Sequence, residues 1–378
     1  MEATTIFTRE PVVNRKRAIT ANRLIAHGPD VASVVEALNA LGEVWPTQHP
    51  VFISLERLVP TPDLMQWRPP DNAMIEIPAQ TLGHPRTAEL LAELAEAGIH
   101  TCLAWWRADT VEPAQANWRF TITDARKQPS ASGAPGVPLA WGLADIQAFQ
   151  GAMQQGFEGA SGWFFLHGNP PPKALTPAHG QIVRLLNMVR NGADIKDIER
   201  LLKQDVAISY KLLRYINSAG FGLMCEIQSF RHAVSILGYD ALNKWLSLLL
   251  VTASRDPAAP ALMQTAIVRG RFMEQLGTAW LDESHLDNLF ITGAFSQLPL
   301  LTGTRMEEIV EAMTLPEGIC DALLHDRGEY APLLRLARLT EGFDGTALAA
   351  QSAELQLTPE QVNAALLSAL GFADSLTA

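Results

Sequence analysis

The sequence predicts an α/β half followed by an all-α half. Three observations predict it. Short apolar, strand-like segments alternate with a helical repeat in the first 160 or so residues, only helical spacing follows, and a proline-rich stretch (HGNPPPKALTP, His167 to Pro177) separates the two. The chain has 378 residues, which at roughly 150 residues per domain allows two or three domains. Hydrophobic residues make up 48% and charged residues 18%, enough apolar material for sizeable cores and too little charge for disorder. The change of character at the proline-rich stretch sets the expected domains at 1–170 and 171–378.

In the first half, Val51-Phe52-Ile53-Ser54-Leu55, Met74-Ile75-Glu76-Ile77 and Thr101 to Trp106 read as buried strands. Between the second and third, Ala88 to Ala97 carries helical spacing and stops at Gly98, which suits the residue after a helix C-cap. Strand, helix, strand in that order predicts a parallel βα arrangement. Lys127 to Pro138 (KQPSASGAPGVP) has no hydrophobic period and reads as a surface loop. In the second half, Ile182, Leu185, Leu186 and Val189 recur at helical spacing and are followed by Gly192. Ile198, Leu201 and Leu202 follow Asp197, and Leu242, Trp245, Leu246 and Leu249 repeat the pattern. Thr358-Pro359-Glu360-Gln361 supplies an N-cap, a proline at N1 and an acid in the first turn.

Lys+Arg 29 against Asp+Glu 40 gives a net charge of -11, which argues against binding to phosphate backbones or anionic membrane. Three scattered cysteines, Cys102, Cys225 and Cys320, suit a reducing compartment and build no zinc site. No apolar run approaches the ~20 residues that span a bilayer, so the expected location is the cytoplasm. Nucleophile-elbow, zinc-protease, Walker A and dinucleotide-binding patterns are absent. His325-Asp326 is a lone HD dipeptide beside Arg327-Gly328, which reads as a helix end. Glu76 interrupts an apolar strand. A carboxylate there can face a barrel's site end and bind a metal, or be satisfied by a pair, and the second reading is preferred for want of acidic company. Ile198 to Ala219 has the outline of a helix-turn-helix without its turn glycine and reads as bundle packing.

The second half resembles the HDOD family, a metal-free branch of the HD phosphohydrolases. The resemblance rests on IERLLKQDVAISYKLLRYINSAGFG and IQSFRHAVSILGYDAL, with Asp205, Asn217-Ser218, Ile227, Ser229, Ala233, Leu237 and Gly238 at pattern positions. FITGAFSQLP stands where hydrolytic relatives carry a metal-binding His-Asp, so the resemblance implies that Ser296 and Gln297 replace those ligands. The first half resembles a shortened EAL domain, the cyclic di-GMP phosphodiesterase family. Asn22-Arg23-Leu24 stands in the place of the name motif, and FISLERL carries Ser54 in place of a metal-binding Asn. MIEIPA keeps Glu76, Trp105-Trp106 lie near the place of a paired-aspartate motif, and GFEGASGWFF has Ser161 in place of Gln.

The resemblance therefore implies a truncated, degenerate βα-barrel of EAL type joined to an all-α HDOD helical bundle. The degenerate site would comprise Asn22, Ser54, Glu76 and Ser161. With metal ligands lost in both halves, the expectation is a bacterial signal-transduction adaptor that is not an enzyme and carries no cofactor or metal. It would bind other signalling proteins through Lys211, Arg214, Asn217 and Arg231, with Gln297 beside them, and bind neither nucleic acid nor membrane. The alternative is cyclic di-GMP binding, or residual phosphodiesterase activity, in the EAL-like half.

Overall fold

The computed structural model describes residues 5–110, 117–167, 176–202, 230–253, 259–278 and 281–377, with only the backbone at 230–237, 283–284 and 377. By contacts the chain forms two compact units, Met1–Gly168 with Arg338–Leu367, and Asn169–Ala337 with Ser368–Ala378. The expected division at 170/171 thus meets a C-terminal segment that belongs with the first unit.

The first unit is a closed eight-stranded barrel. Its strands are β1 (Ile6–Asn14), β2 (Ile19–His27), β3 (Val51–Ser54), β4 (Ala73–Pro78), β5 (Thr101–Ala104), β6 (Phe120–Asp124), β7 (Val137–Trp141) and β8 (Gly159–Ser161). Neighbours from β2 to β8 run parallel, while β1 is antiparallel to both β2 and β8. The β1–β2 hairpin turns on Asn14, whose side-chain oxygen accepts from the Lys16 and Ala18 amides, and on Arg17 at φ 60°. Val12, Ala21, Phe52, Met74, Cys102, Ile122 and Leu139, one from each of seven strands, fill the interior. Alternation along each strand fixes which residues lie above that layer.

Helix α1 (Val31–Ala40) connects β2 to β3, α2 (Pro85–Glu96) connects β4 to β5, and α3 (Ile146–Gln154) connects β7 to β8. Asp30 and Asp145 cap α1 and α3 by accepting from Ser33 N and Ala148 N. Between β3 and β4 there is only a 3₁₀ turn, Pro62–Gln66, beyond the extended chain. The barrel is shortened in its helices and complete in its strands, which refines the expected truncation. The loop expected over Lys127 to Pro138 ends inside β7, because Val137 and Pro138 pair with Phe120 and Thr121 of β6.

The second unit is helical: α4 (Pro177–Arg190), α5 (Ile195–Leu202), α6 (Phe230–Val251), α7 (Ala259–Gly277), α8 (Glu283–Phe295), α9 (Leu298–Thr302), α10 (Met306–Glu311), α11 (Glu317–His325) and most of α12 (Ala331–Leu339). Helices α7 and α8 meet backbone to backbone, since a Cβ at Gly293 would lie 2.7 Å from the Arg269 carbonyl oxygen and one at Gly270 2.7 Å from that of Phe290. His325-Asp326 is the helix end the sequence suggests: Asp326 is the left-handed C-cap of α11 and accepts from Arg335. The last two helices are α13 (Gly345–Glu354) and α14 (Pro359–Thr377). Thr358 and Gln361 form a reciprocal cap on α14.

Segment 338–367 closes a seam in the barrel. β8 is short and covers only Val12–Asn14 of β1, leaving the Thr5–Arg9 side of β1 without a strand neighbour. There Asn363 Oδ1 accepts from Phe7 N at 3.0 Å, Asn363 Nδ2 donates to the Thr5 carbonyl at 2.9 Å, and Arg9 N donates to the Thr340 carbonyl at 2.8 Å.

Candidate functional site at the strand ends of the barrel

In the next layer toward the mouth, the parallel strands present the side chain two positions further on and the antiparallel β1 the one two positions earlier. On β2 this is Arg23, directly opposite Glu10 of β1; on β3 it is Ser54 and on β4 Glu76. Arg23 Nη1 donates to Glu10 Oε2 at 2.8 Å, Nη2 donates to Glu76 Oε2 at 2.8 Å and to Ser54 Oγ at 3.0 Å, and Nε donates to Glu76 Oε1. Ser161 Oγ donates to Glu10 Oε2 at 3.1 Å, and Trp141 Nε1 donates to both Glu10 oxygens at 3.1 and 3.2 Å. Arg23 and Glu76 are each 3% exposed. Burial works against the guanidinium charge, but Glu76 and Glu10 outweigh it and raise the pKa of Arg23.

Aromatic rings cover this cluster. The Trp105 ring lies 5.0 Å from the Arg23 guanidinium and meets Trp141 edge to face at 5.0 Å. Trp105 adopts φ 62°, a left-handed conformation that costs a bulky residue about 1–3 kcal/mol. Arg126 lies over Trp141 at 4.7 Å, and Phe343 packs edge-on against the same ring while staying 53% exposed. At the end of β6, hydrogen bonds from Arg126 hold the Asp124 carboxyl below its usual range. In the layer beneath, burial pushes the Cys102 thiol well up.

Of the four positions singled out in the sequence, the structure brings Ser54, Glu76 and Ser161 together. Asn22 is equally buried but accepts from Arg9 Nη1 at 3.4 Å, on the face of β2 opposite Arg23. Sequence reasoning left out Glu10 and Arg23 as site members. Alternation about Val12 and Ala21 was the signal that points both inward. Glu76 does have acidic company, Glu10, which reaches it through Arg23.

The EAL resemblance implies divalent metal, and the residues present do not fit it. Such an ion takes six or more oxygen ligands and needs carboxylates whose oxygens are free to bind it. Among the described residues no group of three His, Cys, Asp or Glu side chains could hold one. Glu76 spends both oxygens on Arg23, and Glu10 divides its oxygens among Arg23, Trp141 and Ser161.

The second unit carries a similar arrangement at the positions read as a lost His-Asp. Arg269 Nη1 donates to Ser296 Oγ at 2.9 Å, and the Gln297 amide oxygen, turned toward the guanidinium, accepts at 2.7 and 2.8 Å. The close contact of Gly270 with Gly293 is what lets Arg269 of α7 reach the end of α8. Lys244 lies between Glu274 and Asp287, with Arg271 Nη1 donating to Glu274 at 2.7 Å. Lys211, Arg214 and Asn217 lie outside the described residues, as does the side chain of Arg231.

The family model for the HDOD domain matches residues 175–376. The chain belongs to the HDOD domain family. It is 30% identical over 226 residues to cyclic di-GMP phosphodiesterase CdgJ of Vibrio cholerae, covering 58% of this chain and 52% of that protein. It is 24% identical over 202 residues to YuxH of Bacillus subtilis, covering 51% and 48%. The chain thus spans about half the length of these curated relatives. The HDOD chain's barrel is similar to EAL domains. FimX from Pseudomonas aeruginosa, solved with cyclic di-GMP bound, aligns at TM-score 0.34 and 12% identity over 44% of this chain and 90% of that one. The EAL domain of Mycobacterium smegmatis DcpA aligns at TM-score 0.34 and 12% identity over 44% and 92%.

One expectation is overturned. The loss of metal ligands argued for a chain that is not an enzyme, but a relative at 30% identity is named a phosphodiesterase. Counting absent ligands looked only at family positions and gave no weight to what the rest of the chain shares with that protein. Among the described residues no helix is long and apolar enough to cross a membrane.

Proposed function

We propose that this HDOD protein serves cyclic di-GMP signalling, receiving the dinucleotide at the rim of its barrel and passing the response to another signalling protein through its HDOD unit. The observation that carries the reading is the 30% identity, over 58% of the chain, to a protein named for action on that dinucleotide. The rim supports it chemically. Trp141 and the exposed Phe343 offer stacking faces to a purine, and the outward guanidinium of Arg126 offers a charge to a phosphodiester. The relative's name makes the dinucleotide a substrate, so the test reads binding and turnover together. Calorimetric titration with cyclic di-GMP, followed by chromatography of the products, is expected to show saturable binding or a linear product, weakened by Phe343→Ala. Neither binding nor product overturns the reading.

For the partner, the proposed surface is Lys211, Arg214, Asn217 and Arg231; Gln297, expected beside them, is only 2% exposed and turned to Arg269, so it drops out of the surface. The 378-residue chain should retain a specific partner in pull-downs that the Lys211→Glu/Arg214→Glu double variant loses. Equal retention by both would remove these residues from the surface.

A further inference from the structure

We propose that Arg23 is the resident cation of the barrel: its guanidinium occupies the place between Glu10 and Glu76 that a divalent ion would need, and these carboxylates become a metal site only when it is withdrawn. The two acids come from β1 and β4, which are not neighbours in the barrel, yet both close on one side chain of β2. The hydroxyls that could extend such a ligand set are used in the same way. Ser54 accepts from Arg23 and Ser161 donates to Glu10. Trp105 covers the guanidinium and Trp141 binds Glu10, so the cluster is enclosed by rings. Glu10, Ser54 and Ser161 are as buried as Arg23 itself.

Competition between the two cations is unequal. A metal must come from solution, whereas Arg23 is tethered to the strand that faces Glu10 and is present at a high effective concentration. It also supplies a planar fork that matches the Glu76 carboxylate bidentately, with Nη1 left for Glu10. Without the guanidinium, two buried carboxylates would face each other uncompensated, and an ion with oxygen affinity would relieve them. The inference does not rest on the cyclic di-GMP reading, and its readout is metal uptake, so either can fail alone.

Mn²⁺ binding, followed by calorimetry and by paramagnetic resonance of the free ion, tests it on the full chain. Wild-type protein is expected to take up no Mn²⁺ that Glu76→Gln removes, and its melting midpoint should not respond to Mn²⁺ or to chelator. Arg23→Ser is expected to melt lower, to gain Mn²⁺ binding and to recover part of its midpoint with the ion, and Arg23→Ser/Glu76→Gln to lose that gain. Arg23→Lys, which keeps a tethered charge, should exclude the ion as wild type does, and it serves with wild type if Arg23→Ser does not fold. Wild-type uptake abolished by Glu76→Gln overturns the inference, and so does a folded Arg23→Ser that binds no Mn²⁺.

Discussion

Arg23 makes four of its five possible donor contacts inside the barrel, and removing either carboxylate leaves its buried charge only partly compensated. An isolated surface pair is worth at most about 1 kcal/mol, whereas breaking a buried one costs about 3–5 kcal/mol because the remaining ion keeps its desolvation penalty. Glu76→Ala should therefore destabilise the barrel by about 3 kcal/mol, near the lower limit of that range because Glu10 still faces the guanidinium. Equilibrium denaturation followed by tryptophan fluorescence checks this, and a loss below about 1 kcal/mol would mean the pair is solvated. This centre was half legible in the sequence. Glu76 stands out because it breaks an apolar run, while Arg23 sits inside a motif-like triplet whose family alignment draws attention to its neighbour Asn22. Only the period of two along β2, read together with the register against β1, shows which of the two faces inward.

Among the elements, β1 depends on more than its strand partners. The backbone groups of its first residues would be an open edge, and the Asn363 side chain satisfies two of them, the Phe7 amide and the Thr5 carbonyl. Asn363→Ala leaves both buried and unpaired, at about 1–3 kcal/mol for the first group lost. Thermal unfolding should register a drop of that order, and hydrogen exchange should show the Phe7 amide losing protection before the rest of β1. At the same end of the hairpin, His27 accepts or donates at Thr8 Oγ1 (2.9 Å), lies 3.5 Å from Glu56 and faces Asp344, with Gly345 so close that a Cβ there would meet the ring. Burial lowers its pKa below the usual 6.5, against the opposing pull of Glu56 and Asp344. The folded state thus resists a proton that the unfolded chain accepts, so stability is full above about 6.5 and is lost as pH falls through the folded value. His27→Gln should flatten part of that decline in denaturation midpoints between neutral and mildly acidic pH. His179, which burial lowers in the same direction, adds to the decline. Apolar spacing made β3, β4 and β5 and several helices readable, but not the other strands; β7 begins at Val137-Pro138 in a stretch whose glycines and prolines read as loop.

At the scale of the whole molecule, both units place an arginine against positions where the family resemblances expect metal ligands, Arg23 at Ser54 and Glu76 and Arg269 at Ser296 and Gln297. The sequence showed which ligands were missing, and it could not show what replaced them, because the replacing arginines lie on other strands or helices. The same non-local logic hides how the chain is divided. A proline-rich boundary near residue 170 marks a change of secondary structure, yet the barrel unit also contains Arg338–Leu367. The consequence is testable by dissection. A fragment ending at residue 167 keeps all eight strands but loses Thr340 and Asn363, the groups that satisfy the exposed side of β1, along with the cover that Phe343 gives Trp141. Such an open strand edge invites pairing between molecules. The fragment should therefore aggregate or melt without cooperativity in circular dichroism, and linking residues 338–367 to it should restore a cooperative transition. A fragment 1–167 that melts cooperatively at the full chain's midpoint would mean the seam closes without that segment, and that the barrel's strands alone carry its stability.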